Sequence, residues 1–292
     1  MKNTVLVTGA TKGVGNIIVR MLAKKGWRVI LQGRNRYVLE EKLSILKEIT
    51  DNKDIHYVIG DLFDLRDVKR MAEEVRERFP ELNCLILNAT TFSNNRRLTA
   101  EGQERTWVVN YLSRFLLTME LLPTLKANKP SRIIDMSGKG HRKGQINFDD
   151  PSLEGNYSLA RASEQAKLAN VLFTYALARR LEGSGVTINT VEPGAVNTES
   201  VLLSDEFSGF EKFMYRLMKR FYTEPQDAAR TPVFLATSPK VEGVNGKYYA
   251  KRKQKKSSDQ SYDEQLQRKL WEWTYEWLVE YDYIERGTRN GE

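Results

Sequence analysis

Thr8-Gly9-Ala10-Thr11-Lys12-Gly13-Val14-Gly15 stands between the β-branched run TVLVT, which begins at Thr4, and a stretch of helical periodicity that begins at Val14. Glycines in a turn between a strand and a helix let the backbone approach a pyrophosphate, whose charge is favoured at the positive end of the helix. The placement carries the inference, because a glycine pattern alone is common and turn glycines without a ligand are its bland alternative. Gly9, Thr11, Lys12, Gly13, Val14 and Gly15 are therefore the first candidate cofactor contacts.

Outward from this stretch the alternation continues. RVILQ from Arg28 precedes a helix from Val38, IHYVIG from Ile55 precedes a helix through Val68 and Val75, and CLILN from Cys84 precedes a long helix through Val108 and Leu116. RIIDMS from Arg132 precedes a helix spanning roughly Tyr157 to Leu181, and VTINTV follows from Val186. The strands lack polar alternation, as expected when helices cover both faces of a parallel sheet. The reading is an α/β, doubly wound, Rossmann-like single domain of about seven strands over residues 1–250. After Pro193 the alternation breaks. FEKFMYRLMKRFY from Phe210 reads as an amphipathic lid within residues 199–224, PQDAARTPVFLA as a helix and GKYYA as the last strand. Residues 251–292 read as a basic loop and a Trp-rich helical tail packed on the same domain.

The chain has 292 residues, 40% of them hydrophobic, enough for one full core. Its net charge is +8, and five of the positive charges lie in KRKQKK from Lys251 to Lys256. That run lacks the aromatic interleaving of a single-strand binding groove, so it reads as a solvated loop and no nucleic-acid partner is expected. The opening MKNTVLVTGA has no leader pattern, which predicts a cytoplasmic protein. The single cysteine, Cys84, sits in an apolar run and reads as a buried structural thiol in a reducing compartment. No metal site is expected.

The second strand ends Leu31-Gln32-Gly33-Arg34-Asn35, with no acidic residue to accept hydrogen bonds from a ribose 2′-hydroxyl. Arg34 instead offers a fork suited to a 2′-phosphate, and Lys12 adds a second positive charge. Together Arg34 and Lys12 point to NADP(H) rather than NAD(H), and Asn35 is a further expected cofactor contact.

The glycine spacing resembles the TGxxxGxG signature of the short-chain dehydrogenase/reductase superfamily. Val109-Asn110-Tyr111-Leu112, Asn88-Ala89-Thr90, Glu192-Pro193-Gly194-Ala195-Val196-Asn197-Thr198 and the tail GKYY…LWEWTYEWL resemble its retinol-dehydrogenase-like subgroup. The resemblance covers nearly the whole chain, with Thr90 departing from the usual glycine. It implies adenine contacts from Asp61 and Leu62, and further cofactor contacts from Asn88 and Ala89. Pro193, Gly194, Val196 and Thr198 would hold the nicotinamide end, with Asn110 and Lys167 as catalytic residues. It also implies a serine and a tyrosine, and these are missing. KLANVLF aligns Lys167 with the family lysine and puts Ser163 at the tyrosine position, while Met136-Ser137-Gly138 puts Gly138 at the serine. An alkyl alcohol is a poor proton donor near neutral pH and is shorter than a phenol. Tyr157 and His141 are the other candidate acids, each with a structural alternative. Ser163 and Lys167 one helical turn apart superficially resemble a hydrolytic dyad.

Gly138, Ser163, Phe210 and Met214 are expected to line a pocket for a hydrophobic or aromatic small molecule. The lid reads as core-facing, with peripheral membrane contact as its alternative. By resemblance, the long helices near Val108 and Leu168 suit a homodimer, whereas the lid and tail suit a monomer equally. Three functions stay open: an oxidoreductase on a conjugated alkene, an imine or a self-protonating substrate; a non-redox cyclase, dehydratase or isomerase on the same scaffold; and a catalytically silent NADP-binding protein.

Overall fold

A computed structural model describes residues 3–196, 206–219 and 222–286. In the first half, β1 (Thr4–Val7), β2 (Arg28–Gly33), β3 (Ile55–Ile59) and β4 (Cys84–Leu87) alternate with α1 (Gly13–Ala23), α2 (Arg36–Thr50) and α3 (Leu65–Arg78). After β4 come a short helical turn α4 (Arg105–Trp107), a π-helical turn Val108–Leu112 and the helix α5 (Ser113–Ala127). The second half holds β5 (Ser131–Met136), α6 (Leu159–Arg180), β6 (Val186–Glu192), α7 (Gly209–Met218), α8 (Pro225–Thr237), β7 (Tyr248–Ala250), β8 (Lys253–Lys255) and α9 (Glu264–Glu280).

Among the described residues, eight strands form one sheet in the order β3-β2-β1-β4-β5-β6-β7-β8. It is parallel through β7, and β8 returns antiparallel through Tyr248↔Lys255. The strand order reverses between β1 and β4, which opens the crevice where doubly wound sheets bind ligands. α3, α5, α6 and α9 contribute to the core on one face of the sheet, whereas α1, α2 and α8 contribute on the other. Cys84 lies in this second core, and burial pushes its thiol up to about 12.

The eighth strand is a difference from the expected seven. Lys253-Gln254-Lys255 carries no apolar signal because it pairs on one side only and is exposed. Lysines also keep such an open edge from recruiting another strand. The C-terminal helix α9 rests on the bundle through Trp271, whose ring lies 4.9 Å from Phe115 and 6.0 Å from Phe173. Arg180 covers the same indole at 4.0 Å, and Tyr111 Oη lies 2.7 Å from Thr274 Oγ1. The tail thus occupies part of the outer surface of α5 and α6. Among the described residues no helix is long and apolar enough to cross a membrane.

One polar contact crosses the core at the C-terminal end of the sheet. Arg114, buried on α5, donates from Nη1 to Asp135 Oδ1 (2.5 Å) and the Met136 carbonyl (2.6 Å), and from Nη2 to the Ala89 carbonyl (2.5 Å). It therefore joins the segment leaving β4 to the end of β5. Burial pushes the Asp135 carboxyl up to about 6 against the downward pull of Arg114.

Replacing Arg114 by Met strands a buried carboxylate, so Arg114→Met is expected to lower unfolding free energy by about 3–5 kcal/mol in urea titrations. Without Arg114 the carboxyl keeps its proton to still higher pH than the paired one, which titrates at about 6, so the deficit relative to the unaltered chain grows as pH rises above about 6. The double variant Arg114→Met/Asp135→Leu, which removes both charges, recovers most of the loss.

Candidate functional site

The turn after β1 is shaped by contacts that admit only glycine at two places. A Cβ on Gly9 (φ +63°) would stand 2.8 Å from Ala89 Cα, and one on Gly15 would stand 2.3 Å from the Gly9 carbonyl oxygen. Gly13 differs: its φ of +56° favours glycine, yet no atom lies within 4 Å of an added Cβ. The backbone there faces open space. α2, α3, α6 and α9 are capped by Asn35, Asp64, Ser158 and Asp263, whereas Lys12 gives α1 no side-chain cap. The first N–H groups of α1 are thus left for an external acceptor beside Thr11 and Val14. The cradle fits a dinucleotide diphosphate by shape and by donor set.

Gln32 braces this turn from β2 and was not singled out by its sequence context. Its Oε1 accepts from Gly9 N–H (2.9 Å), and its Nε2 donates to the Gly60 carbonyl (2.6 Å). An amide at the end of an otherwise apolar strand was the available signal. Asn88 Nδ2 donates to the Thr8 carbonyl (2.9 Å), and Thr8 Oγ1 accepts from Asn88 and Ala89 N–H.

At the far side of the cradle, Arg34 is exposed and lies 3.8 Å from Asp61 Oδ2. An exposed pair at this distance contributes little and can exchange for a stronger anion. Asp61 Oδ1 accepts from Phe63 N–H (3.0 Å), and Leu62 is buried. Asn35, expected among the cofactor contacts, instead uses Oδ1 to accept Val38 N–H as the cap of α2 (3.2 Å). Lys12 is exposed beside the turn.

The opposite wall holds Asn110 and Lys167. Asn110, in the π-helical turn, accepts from Thr91 N–H (2.7 Å) and donates to the Thr91 carbonyl (2.9 Å), so it fixes the segment leaving β4. Such turns are frequent at functional sites because they re-aim side chains. Lys167 is largely enclosed; burial lowers its amine pKa against an opposing pull from Glu164, and Nζ lies 5.4 Å from the Phe92 ring centre. The loop after β5 lies directly on this side chain. A Cβ on Gly138 would meet Lys167 Cε at 3.3 Å, and one on Gly140 would meet Cδ at 3.1 Å. Ser137 Oγ donates to the Lys167 carbonyl (2.9 Å). Ser163 is buried one turn earlier on α6. Pro193 and Gly194 follow β6, with Gly194 (φ +90°) packed on Thr223 and Val196 bridging to Thr223. Thr198 lies outside the described residues, as do residues 199–205 and 220–221 of the expected lid.

Several expected side chains are placed elsewhere. Tyr157 donates to the Ser93 carbonyl (2.7 Å) and Glu104 Oε1 (3.3 Å), and burial with the neighbouring carboxylates pushes its phenol up to about 12. It is an anchor for the 93–104 segment, not a free acid. His141 is fully buried: Nε2 accepts from Ser258 N–H (3.0 Å), which leaves the proton on Nδ1 to donate to the Gly138 carbonyl (2.8 Å). Both ring nitrogens are used, and burial lowers the imidazole pKa. Phe210 and Met214, expected against substrate, are exposed.

Glycines that admit a diphosphate where strand order reverses mark the dinucleotide-binding α/β enzymes, and this site falls in that class. A family model described as short chain dehydrogenase matches residues 3–206, and the chain belongs to that family, whose members are nicotinamide-cofactor oxidoreductases. Retinol dehydrogenase 14 of Mus musculus is 37% identical over 273 residues, covering 88% of this chain and 81% of that protein. Polyprenol dehydrogenase of Homo sapiens is 34% identical over 258 residues, covering 86% and 78%. A variant of actinorhodin polyketide ketoreductase, solved with NADPH, matches with a TM-score of 0.65 at 25% identity over 85% of this chain and 95% of that one.

Gly15→Ala is expected to destabilise the fold and abolish binding of a nicotinamide dinucleotide, because its Cβ meets backbone. Gly13→Ala should cost only about 1–2 kcal/mol of left-handed strain while weakening dinucleotide binding, as read by calorimetry beside thermal melts. His141, neutral when folded, makes the unfolded chain bind more protons once pH falls below about 6.5. Stability is therefore lost on acidification through that value, and His141→Gln flattens this part of the pH–stability curve.

Proposed function

We propose that the chain is an NADP(H)-dependent oxidoreductase of a hydrophobic small molecule that needs no tyrosine proton donor: a conjugated alkene, an imine, or a substrate that supplies its own proton. The observation that carries this reading is the pairing of an open dinucleotide cradle with an enclosed Lys167 that faces Gly138 and follows Ser163, while the phenol of Tyr157 is tied to Ser93 and Glu104. Gly138 and Ser163 stand at the family's serine and tyrosine positions.

NADPH, when bound, supplies a hydride. The chain's own residues bind and orient. The Gly9–Gly15 turn and the start of α1 hold the diphosphate, Arg34 and Lys12 hold the 2′-phosphate, and Asn88, Pro193 and Gly194 border the nicotinamide end. Lys167 holds the nicotinamide ribose, and Asn110 keeps the Thr91 segment in place. Lys167 Nζ would lie 3.8 Å from a Cβ added at Gly138, whereas the other titratable neighbour, His141, is held on the Gly138 carbonyl by its ring. The lack of a positioned acid costs roughly a hundred- to ten-thousand-fold on a substrate that needs one, and nothing on a substrate that does not. The names of the retinol and polyprenol dehydrogenase relatives support an apolar substrate, and the NADPH-bound ketoreductase supports the cofactor.

Turnover is read as loss of NADPH absorbance over a panel of ketones, enones and imines. Enones or imines should consume cofactor while simple ketones remain inert; product without cofactor consumption would instead establish a non-redox catalyst. Gly138→Ser/Ser163→Tyr is expected to create carbonyl reductase activity, since Lys167 Cε is a flexible neighbour that can yield to the new serine. Arg34→Ala should weaken NADPH binding about tenfold or more, the worth of a charge-assisted hydrogen bond, and leave NADH binding unchanged.

A further inference from the structure

Phe92 lies in the segment leaving β4, at the end of the sheet where the strand order reverses, and is 40% exposed. A single exposed aromatic is ordinary on a protein surface. What sets this one apart is that the residues on both sides of it are fastened. Before it, Asn110 accepts from Thr91 N–H (2.7 Å) and donates to the Thr91 carbonyl (2.9 Å). After it, the Ser93 carbonyl accepts from Tyr157 Oη (2.7 Å), and Ser93 Oγ donates to Glu206 Oε2 (2.6 Å). Asn110 belongs to the π-helical turn and Tyr157 stands just ahead of α6, so the two fastenings come from different elements. Ordering a loop costs backbone entropy, and here that cost is met so as to present a ring to the crevice.

The ring is held beside Lys167. Nζ lies 5.4 Å from the ring centre, and a Cβ added at Gly138 would lie 3.8 Å from the same Nζ. The ring and the Gly138 position are therefore neighbours through one ammonium group. The rest of the Lys167 chain lies against the loop after β5, with Cε 3.3 Å from the Gly138 position and Cδ 3.1 Å from the Gly140 position. Glycine at both places leaves that loop with no side chain to lay over the ring. An aromatic face stacks on flat π-systems in offset geometry, and an anchor whose backbone is already fixed loses little freedom when a ligand arrives.

We propose that Phe92 determines substrate specificity by stacking on the flat, conjugated part of the molecule that reacts beside Lys167. The assignment rests on the reading of the site given above for where the substrate lies, and it narrows the substrate class. A conjugated alkene or imine that is planar next to the reacting bond is favoured over a saturated compound of equal bulk. Phe92 moves neither hydride nor proton. Its contribution is to binding, so it is read in dissociation constants and does not depend on turnover.

The test is calorimetric binding of two amides to the full chain in the presence of NADP+, which has no hydride to give. One is trans-cinnamamide, flat and conjugated; the other is 3-cyclohexylpropanamide, similar in bulk and saturated. The unaltered chain should bind the flat amide about three- to tenfold more tightly, the worth of one aromatic stacking contact. Phe92→Leu, which keeps an apolar side chain and removes the ring, should erase that preference chiefly by weakening the flat amide. Phe92→Tyr, which keeps the ring, should retain it. Circular dichroism melts report that each variant folds. Failure of the flat amide to bind, equal affinity of the unaltered chain for the two amides, or a preference that survives Phe92→Leu would overturn the proposal. Loss of NADP+ binding in Phe92→Leu that Phe92→Tyr restores would also overturn it, by assigning the ring to the placement of Lys167 against the cofactor. A ring-dependent preference in a chain that consumes no NADPH with any enone or imine would refute the proposed reaction and uphold this assignment.

Discussion

The Arg114 guanidinium ties two backbone carbonyls and one carboxylate together at the end of the sheet where ligands bind. It holds the Ala89 carbonyl from one side and Asp135 with the Met136 carbonyl from the other, all within 2.5–2.6 Å. Ala89 in turn packs against Gly9, so the position of the diphosphate cradle depends on this cation. Met136 leads into Ser137 and Gly138, so the loop on Lys167 depends on it too. Buried charges are costly unless paired with good geometry, and this guanidinium makes three short hydrogen bonds from Nη1 and Nη2, two of them to the end of β5. Its benefit is placement: both walls of the crevice are set from one point on α5.

The two walls are built differently. On the cradle side, shape decides: Gly9 and Gly15 are dictated by backbone atoms less than 3 Å from where a Cβ would be. On the lysine side the loop after β5 lies on a flexible side chain, so Gly138 is permitted and not imposed. Such a position can change without disturbing the fold, which is why the binding half of the site and the half that would move protons can diverge separately. Two of the expected acids, Tyr157 and His141, have work in the architecture. Tyr157 and Glu104 hold the 93–104 segment, and His141 joins the loop at Gly138 to Ser258 in front of α9.

The amphipathic helix shows how a pattern can be right and its direction wrong. Helical spacing identifies a stripe, and the stripe is present in α7. Nothing in the spacing says whether the neighbouring elements lie under it or behind it. In α9, Trp271 reaches Phe115 and Phe173 across elements distant in sequence, whereas in α7 Lys212 and Tyr215 are half-buried and the large apolar residues are exposed.

Much of this molecule is local chemistry, and that part was legible from residue order alone. Strand and helix alternation, the three glycines after β1, the buried Cys84 and the family assignment all rest on properties carried within a few residues of one another. What tertiary structure decided are the partners between distant segments. Gln32 braces Gly9 across two strands, Arg114 meets Asp135, Tyr157 is taken by Ser93, and His141 by Ser258. A side chain's chemical type is written in the sequence, but whether its donor is free or already engaged depends on what the sheet and helices bring to within about 3 Å of it.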